Sequence, residues 1–407
     1  MDSTTRTRRR RRIHRLIEVA VHKSKGNDRN YGAQQRVRHK KGTKHGDPLS
    51  TLLFNAVLEH VFVKLKLEWT KRNCGLEMSL GVKRHLSNLR FADDVLLFAS
   101  TQKQVVAMLS ELKQAAGSCG LELHPEKTKI LTNASIIGRR TVPSHAKIDD
   151  DKVEILSCTG ATKYLGRKVC FKDFHEAELE SRITAAWRCF HKHKQELTSR
   201  QYPLKDRLRL FDSTVTPTVL YGCQAWTLKE SMRRRLRAVQ RKMLRMVLGS
   251  RRRLTRVDGT TDTSSDSRES ETDGDEDEGS QYEMEPWIDF LKRATYLAEE
   301  QAQAAGLQEW LSSWRSKQWR WARKVVTDGR KKWSNTALQW NPQLHASRYS
   351  ARAQARPKKK WTDDVQGYLS NLGITQPWED LAKIGEIWED LEAGFLTWGL
   401  TATRLPE

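Results

Sequence analysis

The chain of 407 residues has few cysteines and no long apolar run. Its six cysteines include no Cys-x-x-Cys pair, so neither a disulfide framework nor a zinc site is expected. No stretch approaches the roughly 18 consecutive apolar residues of a membrane-spanning helix. The first residues, MDSTTRTRRRRRIHR, lack the apolar core of a secretory signal. We therefore expect no membrane span, and cysteines that are reduced core thiols.

Negative charge is also scarce. The 50 Asp and Glu residues are outnumbered by 73 Lys and Arg, which gives a net charge of +23. This excess is larger than solubility requires and indicates a polyanionic partner, either nucleic acid or an anionic membrane surface. The basic runs RTRRRRR and RPKKK are of the kind that serves in nuclear import, so we expect a nuclear protein that is synthesised in the cytoplasm.

Composition divides the chain into four regions. Residues 1–45 form a basic N-terminal segment, and residues 46–250 carry regular apolar patterning. Residues 251–286 contain an Arg cluster and the tract DTSSDSRESETDGDEDEGS, which has too few apolar residues to fold and predicts a disordered acidic linker. Residues 287–407 are rich in Trp and basic residues and predict an all-α tail.

The patterned region begins with a helix signal at Asp47-Pro48, since Asp caps helices and Pro suits the first helical turn. The string SNLRFADDVLLFAS then predicts a hairpin around Asp93-Asp94. A helix capped by Thr101 and a strand over 128–132 follow. This order predicts an α+β fold, an antiparallel sheet with helices on one face. The first helix is expected to bury Leu49, Leu52, Leu53, Ala56, Val57, Val61 and Leu65.

Two further helices are predicted downstream. The apolar face of the first is marked by Leu179, Ile183, Trp187 and Phe190. Thr227 and Glu230 form a capping box for the second. The outer face of that second helix carries Arg233, Arg234, Arg237, Arg241, Lys242 and Arg245.

Asp93 and Asp94 are the strongest candidates for chemistry. Two adjacent carboxylates at a hairpin tip repel each other unless a cation neutralises them. Two divalent cations would do so and would clamp the attacking and leaving oxygens of a phosphoryl transfer. Mg²⁺ suits this role because it binds one or two carboxylates together with substrate phosphates. Taken alone, the pair is better explained as an ordinary Asp-rich turn.

Four strings occur together in the order KKGTKHGDPLSTLLFNAVLE, LRFADDVLLFAS, GLELHPEKTKILTN and YLGRKV. In this order and spacing they resemble the reverse transcriptase domain of non-LTR (LINE-like) retrotransposons, over roughly residues 13–250. The resemblance implies a right-hand polymerase with a palm over 46–170 and a helical thumb over 171–250. It also implies a nucleotidyltransferase that copies an RNA template from a DNA primer with dNTPs and Mg²⁺ or Mn²⁺.

The resemblance assigns roles by matching motifs. Asp93 and Asp94 match the catalytic, metal-binding aspartates of the FADD hairpin. Lys127 matches the lysine near the triphosphate, with Lys129 placed less securely. In the family, the palm helix holds the template and the incoming nucleotide in place. Four residues match it: Gly46, Asp47, Pro48 and Ser50.

The sequence departs from the family at two places. His45 stands where the family has Gln. A further metal-binding aspartate, on a central strand, should precede the GDP element, yet the only aspartates before Asp47 are Asp2 and Asp28. We therefore expect an N-terminally truncated polymerase that lacks the fingers and first palm strand and is weak or inactive alone. The alternative is a non-catalytic, nucleic-acid-binding remnant of a retroelement.

The thumb and tail leave two interpretations open. The basic helix matches the family's thumb and would grip phosphates, or it is a solvated charged face. In the tail, Trp310, Trp314 and Trp321 recur at helical intervals, either as a core face or as a stacking platform for single-stranded bases. Asp363-Asp364 is expected to begin a helix rather than to form a second active site.

Overall fold

The computed structural model divides into two units, residues 1–160 and 161–407. It describes residues 48–78, 85–133, 143–256, 282–328, 332–340 and 359–399. The fold is α+β, with short strands concentrated in the first unit and helices in the second. Over the described ranges, no helix combines the length and apolar character needed to cross a bilayer. The first unit ends at residue 160, and the palm boundary at residue 170 stays a prediction.

Two helices form the frame of the first unit, α1 (Pro48–Lys71) and α2 (Gln102–Gly117). The prediction that Leu49 and Leu52 are buried is wrong, since they are 52% and 68% exposed. The buried face of α1 is centred further along, on Phe62 and Trp69, because α2 and the strands pack there. The predicted cap of α2 is confirmed: the Thr101 side chain accepts a hydrogen bond from the Gln104 amide, at 3.2 Å.

The strands of the first unit are short. They are β1 (Leu76–Glu77), β2 (His85–Leu86), β3 (Asn88–Phe91), β4 (Asp94–Leu97), β5 (Lys129–Leu131), β6 (His145–Ile148) and β7 (Asp151–Leu156). They form antiparallel pairs β1–β2 and β3–β4 and a three-stranded sheet in the order β5-β7-β6. The single antiparallel sheet expected from the sequence is therefore wrong. Strand β5 pairs in parallel with β7, which follows it through β6.

The second unit begins with the hairpin β8 (Thr162–Tyr164) and β9 (Arg167–Val169). Helices up to residue 250 are α3 (Phe174–Lys192), α4 (Lys194–Thr198), α5 (Leu204–Val219), a 3₁₀ turn (Cys223–Ala225) and α6 (Glu230–Leu248). Those after the acidic tract are α7 (Trp287–Ala304), α8 (Trp310–Thr327), α9 (Trp333–Gln339), α10 (Asp363–Asn371), α11 (Trp378–Leu381) and α12 (Gly385–Thr397). The predicted capping box is wrong: α6 is capped at Lys229, without a side-chain hydrogen bond.

A continuous core joins the two segments that the sequence suggested as separate thumb and tail. Helices α3, α5 and α6 contribute Phe190, Phe211 and Leu236 to it, and α8 contributes Trp310 and Trp314. Both tryptophans are fully buried, so the interpretation of this Trp series as a core face is confirmed for them. Trp321 is only half-buried. A second core cluster forms around Trp319 and Trp388, whose rings stack at 3.8 Å.

The two ends of the predicted linker pair with each other. Strands β10 (Leu254–Arg256) and β11 (Tyr282–Met284) form an antiparallel ladder. The assignment of all of 251–286 to a disordered linker is therefore wrong at both ends, where backbone pairing supplies order that side-chain composition does not reveal. Residues 257–281 lie outside the described residues.

All six cysteines are free, as expected. Cys74, Cys170 and Cys223 are buried, and burial raises the pKa of the Cys223 thiol to about 12. Cys119 is exposed, so the expectation that every thiol lies in a core is wrong for it.

Candidate active site

The tip of the β3–β4 hairpin presents two acidic side chains to solvent. Phe91 pairs with Asp94, so Ala92 and Asp93 form the turn between the strands. Ala92 has φ of +51°, a left-handed conformation that costs free energy for a residue with a side chain. The side chains of Asp93 and Asp94 are both exposed. The predicted hairpin is confirmed, and its strained turn projects the carboxylates outward.

Apolar packing holds the strands of this hairpin in place. Val95 and Leu97 of β4 pack against the core cluster that includes Phe62 of α1 and Met108 of α2. Leu97 also packs against the cluster under the β5-β7-β6 sheet. The ladder continues past β4, since the Phe98 amide donates to the Ser87 carbonyl at 2.8 Å. The exposed tip is thus the end of a hairpin whose base is well anchored.

Arg90 fastens the same hairpin to α1. Its Nη2 donates to Glu59 Oε2 at 2.5 Å, and its guanidinium lies over the Phe62 ring, 4.5 Å from the centroid. Partial burial raises the pKa of the Glu59 carboxyl, but the hydrogen bond from Arg90 and the charges of Lys66 and Arg90 together outweigh it, so the net pKa is lowered. The pairing of Arg90 with Glu59, which fastens the hairpin to α1, was not predicted from the sequence. The only signal was a charged residue within an apolar strand.

Asp93 and Asp94 contrast with Glu59 in having no cationic partner among the described residues. In that part of the chain, no group of three or more His, Cys, Asp or Glu side chains is placed to hold a metal. The tip therefore offers two adjacent carboxylates whose charge the described residues leave unneutralised. Such a pair fits Mg²⁺ or Mn²⁺, because these ions take hard oxygen ligands and share them with substrate phosphates.

The other residues predicted for this site are distributed around the first unit. Pro48 is the first residue of α1 and Ser50 lies in its first turn, partly buried. Lys127 is exposed in the turn before β5. Lys129, the less secure match, forms an ion pair with Glu154 of β7. Gly46 and Asp47 lie outside the described residues.

No described contact joins Ser50 or Lys127 to Asp93 or Asp94. The structure nevertheless separates the two candidate lysines, because Lys129 is engaged within the sheet and Lys127 is not.

The basic residues predicted on α6 are mostly engaged with other helices of the second unit. Arg233 Nη2 contacts buried Asp364 of α10 at 3.3 Å. Lys242 lies over the Trp187 ring, 5.6 Å from its centroid, and Arg234 contacts Glu230. The other three face α7 or the residue before α8: Arg237 to Glu309 at 2.5 Å, Arg241 to Glu299 at 2.6 Å, and Arg245 to the Thr295 hydroxyl at 2.8 Å.

These contacts correct the interpretation of this helix as one with a fully solvated outer face. The arginines reach across to α7, α8 and α10, whose residues lie 50 to 131 positions later in the chain. Asp363 and Asp364 begin α10 as predicted, and Asp364 is a buried ion-pair partner that sequence reasoning did not identify.

Comparison with known proteins gives three findings. Residues 4–169 match the family described as reverse transcriptase (RNA-dependent DNA polymerase). The chain is 26% identical over 312 residues to an uncharacterised transposon-derived protein of Caenorhabditis elegans. This alignment covers 75% of this chain and 94% of the relative.

It is also similar to retrovirus-related Pol polyproteins from the type-1 retrotransposable element R2. Identity is 33% over 134 residues in Popillia japonica and 37% over 95 residues in Nasonia vitripennis. These alignments cover 32% and 23% of this chain, and 21% and 8% of the respective polyproteins. The family match also includes nearly all of the basic segment 1–45, which composition alone separated from the palm.

Proposed function

Because residues 4–169 carry a reverse transcriptase domain of the non-LTR retrotransposon class, we propose that this chain takes part in RNA-templated DNA synthesis. In this reaction the 3′-hydroxyl of a DNA primer attacks the α-phosphate of a dNTP opposite an RNA template. The observation that carries the proposal is the exposed pair Asp93 and Asp94, which has no cationic partner among the described residues. The hairpin that carries the pair is anchored by Arg90, Val95 and Leu97.

Asp93 and Asp94 are the residues that would hold the divalent ions. When bound, Mg²⁺ or Mn²⁺ would activate the primer hydroxyl and stabilise the charge on the leaving pyrophosphate. The contribution of the protein is to hold both carboxylates fixed in direction. The rigid base of the hairpin serves this purpose, since misplacement by about 1 Å reduces rates strongly.

The remaining palm residues are proposed to bind the nucleotide and template. Lys127, exposed and without an ion-pair partner among the described residues, would contact the triphosphate. Gly46, Asp47, Pro48 and Ser50 would place template and nucleotide at the beginning of α1. In this proposal the palm is built from α1, α2 and the strands of the first unit.

Helix α6 is proposed as the thumb helix that contacts nucleic-acid phosphates. Its six basic residues are Arg233, Arg234, Arg237, Arg241, Lys242 and Arg245. For the five arginines, the contacts within the second unit do not remove this role, because arginine has five donors and these contacts use only some of them. The basic runs RTRRRRR and RPKKK favour the nucleus as the compartment in which the template and product are bound.

We further propose that catalysis by this chain alone is slow. Two-metal chemistry benefits from a further aspartate, and the only aspartates in the sequence before Asp47 are Asp2 and Asp28. Loss of one bridging ligand costs several kcal/mol of transition-state stabilisation, which corresponds to several orders of magnitude in rate. The second candidate function, nucleic-acid binding without catalysis, is favoured by the same observation and by the net charge of +23.

Primer extension tests the proposal directly. The full chain is supplied with a primed RNA template, dNTPs and Mg²⁺ or Mn²⁺, and compared with Asp93→Ala/Asp94→Ala. The matched control is Asp150→Ala, which removes an exposed carboxylate from the tip of the β6–β7 hairpin. We expect slow incorporation that the double variant abolishes and the control retains. Incorporation that survives in the double variant would contradict the role of the FADD hairpin, and template binding without incorporation would favour the second function.

A further inference from the structure

The face between α6 and α7 forms a groove of about 330 Å³ in the second unit. One wall is a stripe of four arginines on α6: Arg234, Arg237, Arg241 and Arg245. Their spacing of three or four residues keeps them on one side of the helix, about 5–6 Å apart. Lys292 of α7 adds a fifth cation to the lining. We call this feature the α6–α7 groove.

The groove is positive and partly apolar. Among the residues lining this groove, all of them within the described ranges, there is no carboxylate. Ile288 and Leu291 of α7 add apolar surface, and Ile288 remains 66% exposed. A closed structural interface would have covered such a residue, whereas a ligand-binding surface leaves it accessible.

The arginines keep donors available for a ligand. Arg237 and Arg241 contact Glu309 and Glu299 through Nε. In the described part of the chain, their terminal Nη groups have no hydrogen-bond partner. Each guanidinium can therefore donate to a phosphate without giving up its glutamate.

Arg245 of the groove forms no ion pair within the described residues. Its recorded partner is the neutral hydroxyl of Thr295, at 2.8 Å. Burial lowers the pKa of its guanidinium and the nearby charge of Arg241 lowers it further, while Glu299 opposes both. An anion entering the groove would relieve this repulsion between like charges.

We propose that the α6–α7 groove binds a single strand of nucleic acid, with the phosphates on the arginine stripe and the sugars and base edges against Ile288 and Leu291. The inference rests on the proposed function, since it names the site and the strand that the thumb helix would contact. Trp287 and Tyr296 of α7, which adjoin the lining residues Ile288 and Thr295 in sequence, carry aromatic rings and are 58% and 67% exposed. Such rings accept stacked bases, which a duplex does not offer.

Arg233 and Lys242 fall outside this site. Arg233 is committed to Asp364, and Lys242 lies beside Trp187 of α3. Only four of the six basic residues predicted on α6 therefore contribute to the groove.

The test is binding of fluorescein-labelled oligo(U) RNA and oligo(dT) to the full chain, followed by fluorescence anisotropy at several salt concentrations without metal or dNTP. The groove variant is Arg234→Glu/Lys292→Glu. The control, Lys205→Glu/Arg209→Glu, makes the same change in net charge on exposed residues of α5. Circular dichroism confirms that each variant folds, and Arg234→Gln/Lys292→Gln provides a milder form of the groove variant.

We expect the groove variant to bind about ten-fold more weakly at moderate salt. The slope of log affinity against log salt should fall by about 1.4, because two phosphate contacts are lost from a single strand. The control should stay within about two-fold of wild type. Equal weakening by the control would overturn the proposal. So would a duplex of the same length that binds as tightly as the single strands and is weakened as much by the groove variant.

The groove proposal and the polymerase proposal can be contradicted separately. Asp93→Asn/Asp94→Asn is expected to bind both oligonucleotides like wild type. If that variant and wild type bind normally but neither extends a primer, the proposed function is contradicted while the groove stands. If primer extension is normal and the groove variant binds like wild type, the groove is contradicted.

Discussion

Acidic side chains are used differently in the two units of this chain. In the first unit, Asp93 and Asp94 lie exposed at a hairpin tip, with no cationic partner in the described part of the chain. In the second unit, Glu178 is fully buried and Asp364 nearly so, and each contacts two basic side chains. A buried carboxylate must be paired because unpaired charge is costly in a core, whereas an exposed one remains free for a ligand.

This difference separates structural from functional charge. Glu178 accepts from the Lys168 amide at 2.6 Å and from Arg182 at 3.0 Å, and it holds the β8–β9 hairpin against α3. Its contribution is to stability. The hairpin of Asp93 and Asp94 is instead held by Arg90 and by apolar packing, which leaves its two terminal carboxylates outside the network.

The largest effect is expected at Glu178. Replacing it by Gln in Glu178→Gln removes the charge that compensates Arg167 and Arg182, so about 3 kcal/mol of unfolding free energy should be lost. Glu180→Gln is the control, since Glu180 is half-exposed on the same helix and its loss should cost under about 1 kcal/mol. Urea unfolding of both variants measures the difference. Equal stability of the two would break the distinction between the units.

A smaller effect is expected at Asp364. Asp364→Asn leaves Lys359 without its counter-charge and Arg233 with only Glu230, at 3.9 Å, and should cost about 2 kcal/mol. Asp390→Asn, an exposed position on α12, is the control and should change stability by less than about 0.5 kcal/mol. Thermal and urea unfolding provide the comparison. A neutral Asp364→Asn would mean that this ion-pair network does not stabilise the second unit.

A third effect is expected in the pH dependence of stability, through the ion pair of Glu285 with Arg293. Hydrogen bonds from Arg293 lower the pKa of its carboxyl to about 2; partial burial opposes this, and the Arg253 amide adds to it. Because the folded pKa is depressed, the stabilisation is present above the ordinary pKa of 4.5 and is lost as pH falls toward 2. Wild type should exceed Glu285→Gln by about 1 kcal/mol at neutral pH. The gap should close between pH 4.5 and 2, and a gap independent of pH would be inconsistent with this pairing.

The local features of this fold were predictable from the sequence. The helix cap at Thr101 and the hairpin at Asp93 depend on residues close in sequence, so the short-range pattern predicts them. The helix of Trp310 and Trp314 was predicted for the same reason, with its buried face. The tip carboxylates were also identified, because their motif occurs together with others at characteristic spacing.

The long-range features were not predictable. Parallel pairing of β5 with β7, the pairing of β10 with β11, and the contacts of Arg233 and Arg237 join residues 25 to 131 positions apart. No local propensity encodes such partners. The same limitation explains why Leu49 and Leu52 were expected to be buried: the helix period was correct, but the position at which α2 packs on α1 was not encoded in it.

The most direct measurement is an Mn²⁺ titration of wild type and Asp93→Asn/Asp94→Asn in the presence of dNTP, with both proteins also unfolded in urea. The account predicts equal unfolding free energies, within about 0.5 kcal/mol, together with loss of dNTP-dependent Mn²⁺ binding in the variant. Unchanged Mn²⁺ binding, or a stability loss like that expected at Glu178, would contradict the claim that the tip carboxylates are free for function.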